Sequence, residues 1–311
     1  MTGKAVFIDC PIFLGELYNA ELRAILPDLV MNIGDPPGGD TVAMLAEVQG
    51  AINDHTNMNK EILEACPGLK VIVFMGTGAS SYIDVEAASN LGIRVRTIRD
   101  YGNRTVAEHA VALMFAAARR IAAMDRTIRS GVWDTLDAVE LEQKTLGVVG
   151  VGGIGREIVR LGHGLGMNVL AWNRSGVADD LPCEECALDE LMERSNVVSL
   201  HLSLSDETAG MIDARRIGLM RPSALLINTA RGGVIDEPAL IAALKENKIA
   251  HAGLDVFAEE PLPPDHPLLT MDNVTLTAHA GFMTREASAR LLQMALEIMR
   301  EELAAMDGAP A

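Results

Sequence analysis

Short aliphatic runs and longer mixed segments alternate along this chain almost from end to end. In the first hundred residues the runs are KAVFIDC, GAINDH, LKVIVFMG and GIRVRTI. Each reads as a short strand of a parallel sheet. NKEILEAC and YIDVEAASN, lying between them, read as helices. KTLGVVG, MNVLAWN, VVSLHL, ALLINTA, HAGLDV and NVTLTAH repeat the pattern to about residue 280. Strands alternating with helices predict an α/β protein with parallel sheets. The two blocks are joined by TVAEHAVALMFAAARRIAAM. Thr105 and Glu108 stand at capping-box spacing and predict a helix start. The run behind them has few polar residues on any face before Arg119, so the helix is expected to be buried on several sides, at a domain or subunit boundary. TREASARLLQMALEIMREEL predicts an amphipathic helix that starts at Thr284 and returns to the first block.

Composition narrows the class. The chain has 311 residues, 49% hydrophobic and 22% charged, which suits one large or two ordinary domains. The longest apolar run, Ala110–Ala118, is far short of the roughly 20 residues that span a membrane. The N-terminus lacks the apolar core of a signal peptide, so a cytoplasmic location is expected. A net charge of −17 leaves no basic face for nucleic acid, though a few local arginines still suffice for a small anion. Cys183 and Cys186 form a lone CxxC. No second ligand pair at zinc spacing accompanies it, and it does not open a helix after a strand, so it is read as incidental and no metal is expected.

One stretch carries more specific chemistry. Gly150, Gly152 and Gly155 make G-x-G-x-x-G between an apolar strand and a helix, with a second strand following. In that context the glycines allow a tight turn, close approach of a pyrophosphate and close helix–strand packing, and the helix start offers free amides to phosphate. A dinucleotide, NAD or NADP, is expected here. The acid that usually grips the ribose is absent. Asn173 stands at its place, 18 residues past Gly155, followed by Arg174 and Ser175. Asn does not repel a 2′-phosphate, Arg pairs with one and Ser donates to one, so LAWNRS favours NADP. The fold expected is two Rossmann-like domains, each a doubly wound parallel sheet. Residues 1–100 with 284–311 would form a flavodoxin-like substrate domain, and 101–283 the dinucleotide domain. Chain crossings near 99–104 and 280–284 would make a hinge over a cleft.

LINTARGGVIDEPAL, GLDVFAEEPLPPDHPL and NVTLTAHAGFMTREA complete the picture. With the glycine loop, VIVFMGTGASSYIDVEAASNLGIRV and TVAEHAVALMFAAARRI, they resemble the D-isomer-specific 2-hydroxyacid dehydrogenases over about residues 60–290. The resemblance implies roles at matching positions. Arg231 would bind the substrate carboxylate and polarise the keto oxygen. His279 would be the general acid/base, with Glu260 orienting its ring. Asp255 would engage the nicotinamide carboxamide, with His201 contributing beside it. Gly153, Ile154, Thr229, Ala230 and Thr105 complete the implied cofactor site. The backbone of Gly76, Thr77 and Gly78 would grip the substrate carboxylate. The implied reaction interconverts a small 2-oxo acid of the glyoxylate or hydroxypyruvate type with its D-2-hydroxy acid. A homodimer through the cofactor domain is implied too.

The pattern departs from the family in places. Ala278 precedes His279 where Pro is frequent, Phe282 and Met283 follow it, and His201-Leu202-Ser203 lacks the usual Pro. These changes bear on substrate size more than on the reaction. A formate-, phosphite- or phosphoglycerate-type dehydrogenase shares much of the pattern, and so does an NAD(H)-sensing binding protein of the same fold. His55, in NDHTN, reads as a surface-loop residue or as a reader of a substrate hydroxyl.

Overall fold

A computed structural model describes residues 4–308. The chain divides into two compact units, Met1–Gly102 with Thr284–Ala311, and Asn103–Met283.

The first unit holds five parallel strands: β1 Ala5–Cys10, β2 Leu29–Ile33, β3 Gly50–Asn53, β4 Val71–Phe74 and β5 Arg94–Thr97. Their order is β2-β1-β3-β4-β5, so the direction of winding reverses between β1 and β3. β1, β3 and β4 are buried along their whole length, which matches their unbroken apolar runs. The apolar pattern predicts four strands here, and β2 is the addition. LVMNI lies at the sheet edge and is mostly half-buried, so it lacks a continuous apolar run. The closing helix, Arg285–Met306, starts as expected behind Thr284, whose hydroxyl accepts from the Ala287 amide at 3.2 Å. Its buried face, including Leu292, Leu296 and Met299, joins the core against β1, β3 and β4. Its buried Glu302 pairs with Arg94 at 2.6 Å and with Arg96, which ties the helix to β5.

The second unit holds seven parallel strands: β6 Thr145–Val149, β7 Asn168–Trp172, β8 Glu184–Glu185, β9 Val197–Leu200, β10 Leu225–Asn228, β11 His251–Leu254 and β12 Val274–Leu276. Their order is β12-β11-β10-β9-β6-β7-β8. Six match the apolar runs. β8 is two exposed glutamates held to β7 by pairing alone, so no hydrophobic signal marks it. The central strands are buried on both faces, with a separate hydrophobic cluster on each side. Winding reverses between β6 and β9, and ligands of such sheets bind outside the strand ends at that reversal.

The long apolar helix runs Asn103–Ala118, not from Thr105 as the capping box predicts. Thr105 is buried inside the first turn, and Glu108 pairs with Arg104 at 2.8 Å instead of closing a cap. Leu113 lies close over Gly253 of β11, where a β-carbon would come within 3.2 Å of its own. No helix among the described residues is long and apolar enough to cross a membrane.

Candidate active site

The glycine loop leaves β6 at the winding reversal. Gly150 has φ +92°, and a β-carbon on it would come 2.7 Å from the His201 carbonyl oxygen. A β-carbon on Gly155 would overlap the Gly150 carbonyl. Gly152 faces open space, which leaves the backbone there free for close approach. Gly153 and Ile154 open the helix Gly153–Gly164, whose first amides point outward from its start. Gly153 lies against the Asn103 side chain, so the start of the long helix stands beside the loop.

Asn173 follows β7 and is fully engaged. Its carbonyl oxygen accepts from the Val151 amide at 3.2 Å, and its NH2 donates to Ser175 Oγ at 2.9 Å and the Gly176 carbonyl at 3.0 Å. It therefore staples the glycine loop to the turn after β7. Arg174 is exposed and forms an ion pair with exposed Glu207.

His201 and Thr229 follow directly on β9 and β10. His201 Nε2 is 2.8 Å from Ser199 Oγ, while its Nδ1 and the Thr229 hydroxyl are buried without a partner among the described residues. Burial pushes the His201 imidazole down to about 3, so it is neutral at ordinary pH. Buried polar atoms rarely stay unpaired. These two, beside a loop shaped for phosphate, fit a polar ligand such as a dinucleotide.

Arg231, Glu260 and His279 lie on turns further along the same sheet. Asn228 is fully buried at the end of β10 and shapes the next turn, accepting from the Ala230 amide and donating to the Arg231 carbonyl, both at 3.0 Å. Arg231 is exposed, donates to the Ala230 carbonyl at 2.6 Å, and has no carboxylate partner among the described residues. A β-carbon on Gly232 would overlap the Phe257 backbone, so this turn rests directly on the one after β11. There Glu260 accepts from the Phe257 amide at 2.9 Å through one oxygen, and faces His279 Nδ1 at 2.7 Å through the other. A carboxylate only accepts, so Nδ1 carries the proton and Nε2 is the free face. His279 has φ +50°. Asp255 holds the loop around it. The Asp255 carbonyl accepts from the His279 amide at 2.7 Å. Its carboxylate accepts from Thr277 Oγ1 at 2.6 Å and from the amides of Ala280 and Gly281 at 2.8 and 2.9 Å.

Residues 111–281 match the family described as D-isomer specific 2-hydroxyacid dehydrogenase, NAD binding domain. The glyoxylate reductase of Aeropyrum pernix is 39% identical over 308 residues, covering 94% of this chain and 89% of that one. The chain belongs to this family. The hydroxypyruvate reductase of Thermotoga maritima is 38% identical over 256 residues, covering 80% and 83% of the two chains. An acyclic imino acid reductase solved in complex with NADPH and D-Arg superposes with a TM-score of 0.83 at 29% identity, covering 99% and 98%. The chain is thus an NAD(P)-dependent oxidoreductase of the 2-hydroxyacid dehydrogenase family.

Three residues of this dehydrogenase's site escape the motif reading. Glu207 sits in the loop after β9, and β7 and β9 flank β6, so the loops bearing Arg174 and Glu207 meet above it. Asn228 reads as the last residue of an apolar strand. His109, on the long helix, places Nε2 3.0 Å from Thr277 Oγ1 and 3.3 Å from Asp255 Oδ1. Asp255 itself is 1% exposed, so the structure shows its carboxylate engaged with the His279 loop. Its burial opposes ionisation, but bonds from His109, Thr277 and two amides outweigh that and hold the carboxyl below its ordinary range.

In the first unit, Gly76 follows β4 at φ +152°, Thr77 is exposed and Gly78 precedes a short 3-10 turn. His55 follows β3, with its ring between Asp54 at 3.0 Å and Asp35 at 2.8 Å. Its backbone amide, with those of Asp54 and Thr56, donates to buried Asp9. The thiols of Cys183 and Cys186 are free, and burial raises both.

Proposed function

We propose that the chain reduces a small 2-oxo acid of the glyoxylate or hydroxypyruvate type to its D-2-hydroxy acid, using NADPH in preference to NADH. The observation that carries this reading is the Glu260–His279 Nδ1 pair at 2.7 Å, with Arg231, which has no carboxylate partner among the described residues, on the neighbouring turn. Two relatives named for those substrates support the choice of acid.

Reduction needs a hydride at C2, which a bound reduced nicotinamide supplies, and a proton at the carbonyl oxygen. His279 delivers that proton from Nε2, and Glu260 stabilises the imidazolium beforehand and fixes the ring. The Arg231 guanidinium holds the substrate carboxylate and draws electron density from the keto oxygen. On the cofactor side, the amides at Gly152, Gly153 and Ile154 take the pyrophosphate. His201, Thr229, Ala230 and Thr105 line the nicotinamide end, and Arg174 with Ser175 takes the 2′-phosphate.

The same reading includes a homodimer through the cofactor unit, supported by exposed apolar side chains at Ile121, Ile128, Val132 and Trp133, the last 90% exposed. A reducing cytoplasm suits four free thiols. Initial rates with NADPH and NADH, each against glyoxylate and hydroxypyruvate, test the proposal. Turnover of either acid, faster with NADPH, is the expected result. Cofactor binding without turnover of any 2-oxo acid would overturn it in favour of a sensor.

A further inference from the structure

We propose that His109 is a positioning residue for the acid–base chemistry of His279. This rests on the reading of His279 given above.

The hydrogen-bond directions follow from the donors available. Asp255 Oδ1 lies 2.6 Å from Thr277 Oγ1 and can only accept, so the hydroxyl proton points to it. Thr277 Oγ1 is then an acceptor toward His109 Nε2 at 3.0 Å. His109 therefore carries its proton on Nε2, shared between Thr277 Oγ1 and Asp255 Oδ1 at 3.3 Å. That proton fixes the Thr277 hydroxyl, which fixes the Asp255 carboxylate, which receives the amides of Ala280 and Gly281 on either side of its two oxygens.

His279 needs this support. Its φ of +50° is a conformation that a β-carbon disfavours, and such residues persist where the surroundings over-determine them. The packing is close on the far side as well. A β-carbon on Gly281 would stand 3.0 Å from Asp255 Oδ2 and 3.6 Å from the His109 ring. Asp255 belongs to the end of β11 and Thr277 to the loop itself. His109 is the member that comes from the long helix, so it anchors the loop to a rigid element. The charged groups facing His279 are the Glu260 carboxylate on its ring and the Asp255 carboxylate behind its backbone. A loop that shifts without its anchor moves the ring relative to Glu260.

The test compares His109→Ala, His109→Gln and Thr277→Val with wild type. Gln keeps an N–H donor at this position, and Val keeps the shape of Thr without its hydroxyl. Measured are kcat and KM for cofactor and 2-oxo acid, the pH profile of kcat, and the NMR titration of the His279 ring, assigned against His279→Gln. His109→Ala and Thr277→Val are expected to lower kcat about tenfold or more through misplacement of the ring. The pH at which His279 titrates should move in both. Cofactor KM should change by no more than about twofold, and Gln should restore kcat to within about threefold of wild type. Unchanged kcat and titration in His109→Ala would overturn the proposal. So would a lower Tm with an unmoved titration and no rescue by Gln. Should His109→Ala not fold, Thr277→Val and His109→Gln decide by the same criteria. Should wild type turn over no 2-oxo acid, the functional reading fails, and the titration still decides whether His109 positions His279.

Discussion

Arg174 and Glu207 set against each other two demands on the adenine end of the proposed cofactor site. An exposed guanidinium two residues beyond the end of β7 invites a phosphate, while the carboxylate opposite neutralises it and repels the same phosphate. Removing each partner therefore has opposite consequences. Arg174→Ala should lower kcat/KM with NADPH about tenfold and leave NADH nearly unchanged, while Glu207→Gln should raise the NADPH-to-NADH ratio a few-fold. A ratio unmoved by both substitutions would remove Arg174 from phosphate recognition. The positions of Arg174, Arg231, Glu260 and His279 are legible in the chain because each lies in a run of motif residues. Glu207, Asn228 and His109 are not. The partners of Glu207 and His109 are remote in sequence and are brought close by sheet order and helix packing, while Asn228 bonds residues two and three positions on but reads as the end of an apolar strand. Asn173 is a partial case: the absence of an acid is plain from the sequence, but its grip on Val151 depends on how the glycine loop folds.

At the level of elements, strands buried on both faces are legible as unbroken apolar runs, whereas β2 and β8 are not, because edge pairing needs no such run. Thr105 shows the opposite error: its spacing to Glu108 fits a cap, yet burial of Thr105 inside the helix moves the start to Asn103. Two histidines, buried His251 on β11 and half-buried His201 just after β9, make a pH prediction. His251 opens β11 and bonds Thr275 of β12 at 3.0 Å. Burial, with the nearby charges of Arg120 and Arg126, lowers it to about 4, and burial lowers His201 to about 3. An unfolded histidine takes a proton near 6.5. Below that pH the unfolded chain binds more protons than the folded one, so stability falls as pH falls. The contribution is fully present above about 6.5 and is lost as pH drops through about 4 for His251 and about 3 for His201. His55 acts in the opposite sense and outside this window. Burial opposes its charge, but Asp35 and Asp54 raise it overall, so its contribution is complete below 6.5 and is lost on going alkaline. Urea midpoints are expected to fall steadily from pH 6.5 to 4, and His251→Gln should flatten that slope. An equal slope in the variant would show that His251 does not titrate as described.

For the whole molecule, charge and exposed apolar surface bear on association. A chain at −17 repels its own copies at long range, so any dimer must rest on local apolar contact. Trp133, Val132, Ile121 and Ile128 supply exposed apolar area within a short stretch of the cofactor unit. Light scattering is expected to give a dimer, and Trp133→Glu is expected to shift it toward monomer. A wild-type monomer at micromolar concentration would remove the dimer from this account. The same negative charge does not bar an anionic ligand from the proposed site, because exposed Arg231 and Arg174 would meet it at contact distance, where local pairing outweighs the screened field of distant carboxylates.

The central claim is that His279, held by Glu260, moves the proton while a 2-oxo acid is reduced. Its most direct test is steady-state reduction of glyoxylate with NADPH by wild type and by His279→Gln, with cofactor binding measured in both. Wild-type turnover, a fall in kcat of about a hundredfold or more in the variant and unchanged cofactor affinity are predicted. Equal kcat in the two proteins would contradict the claim.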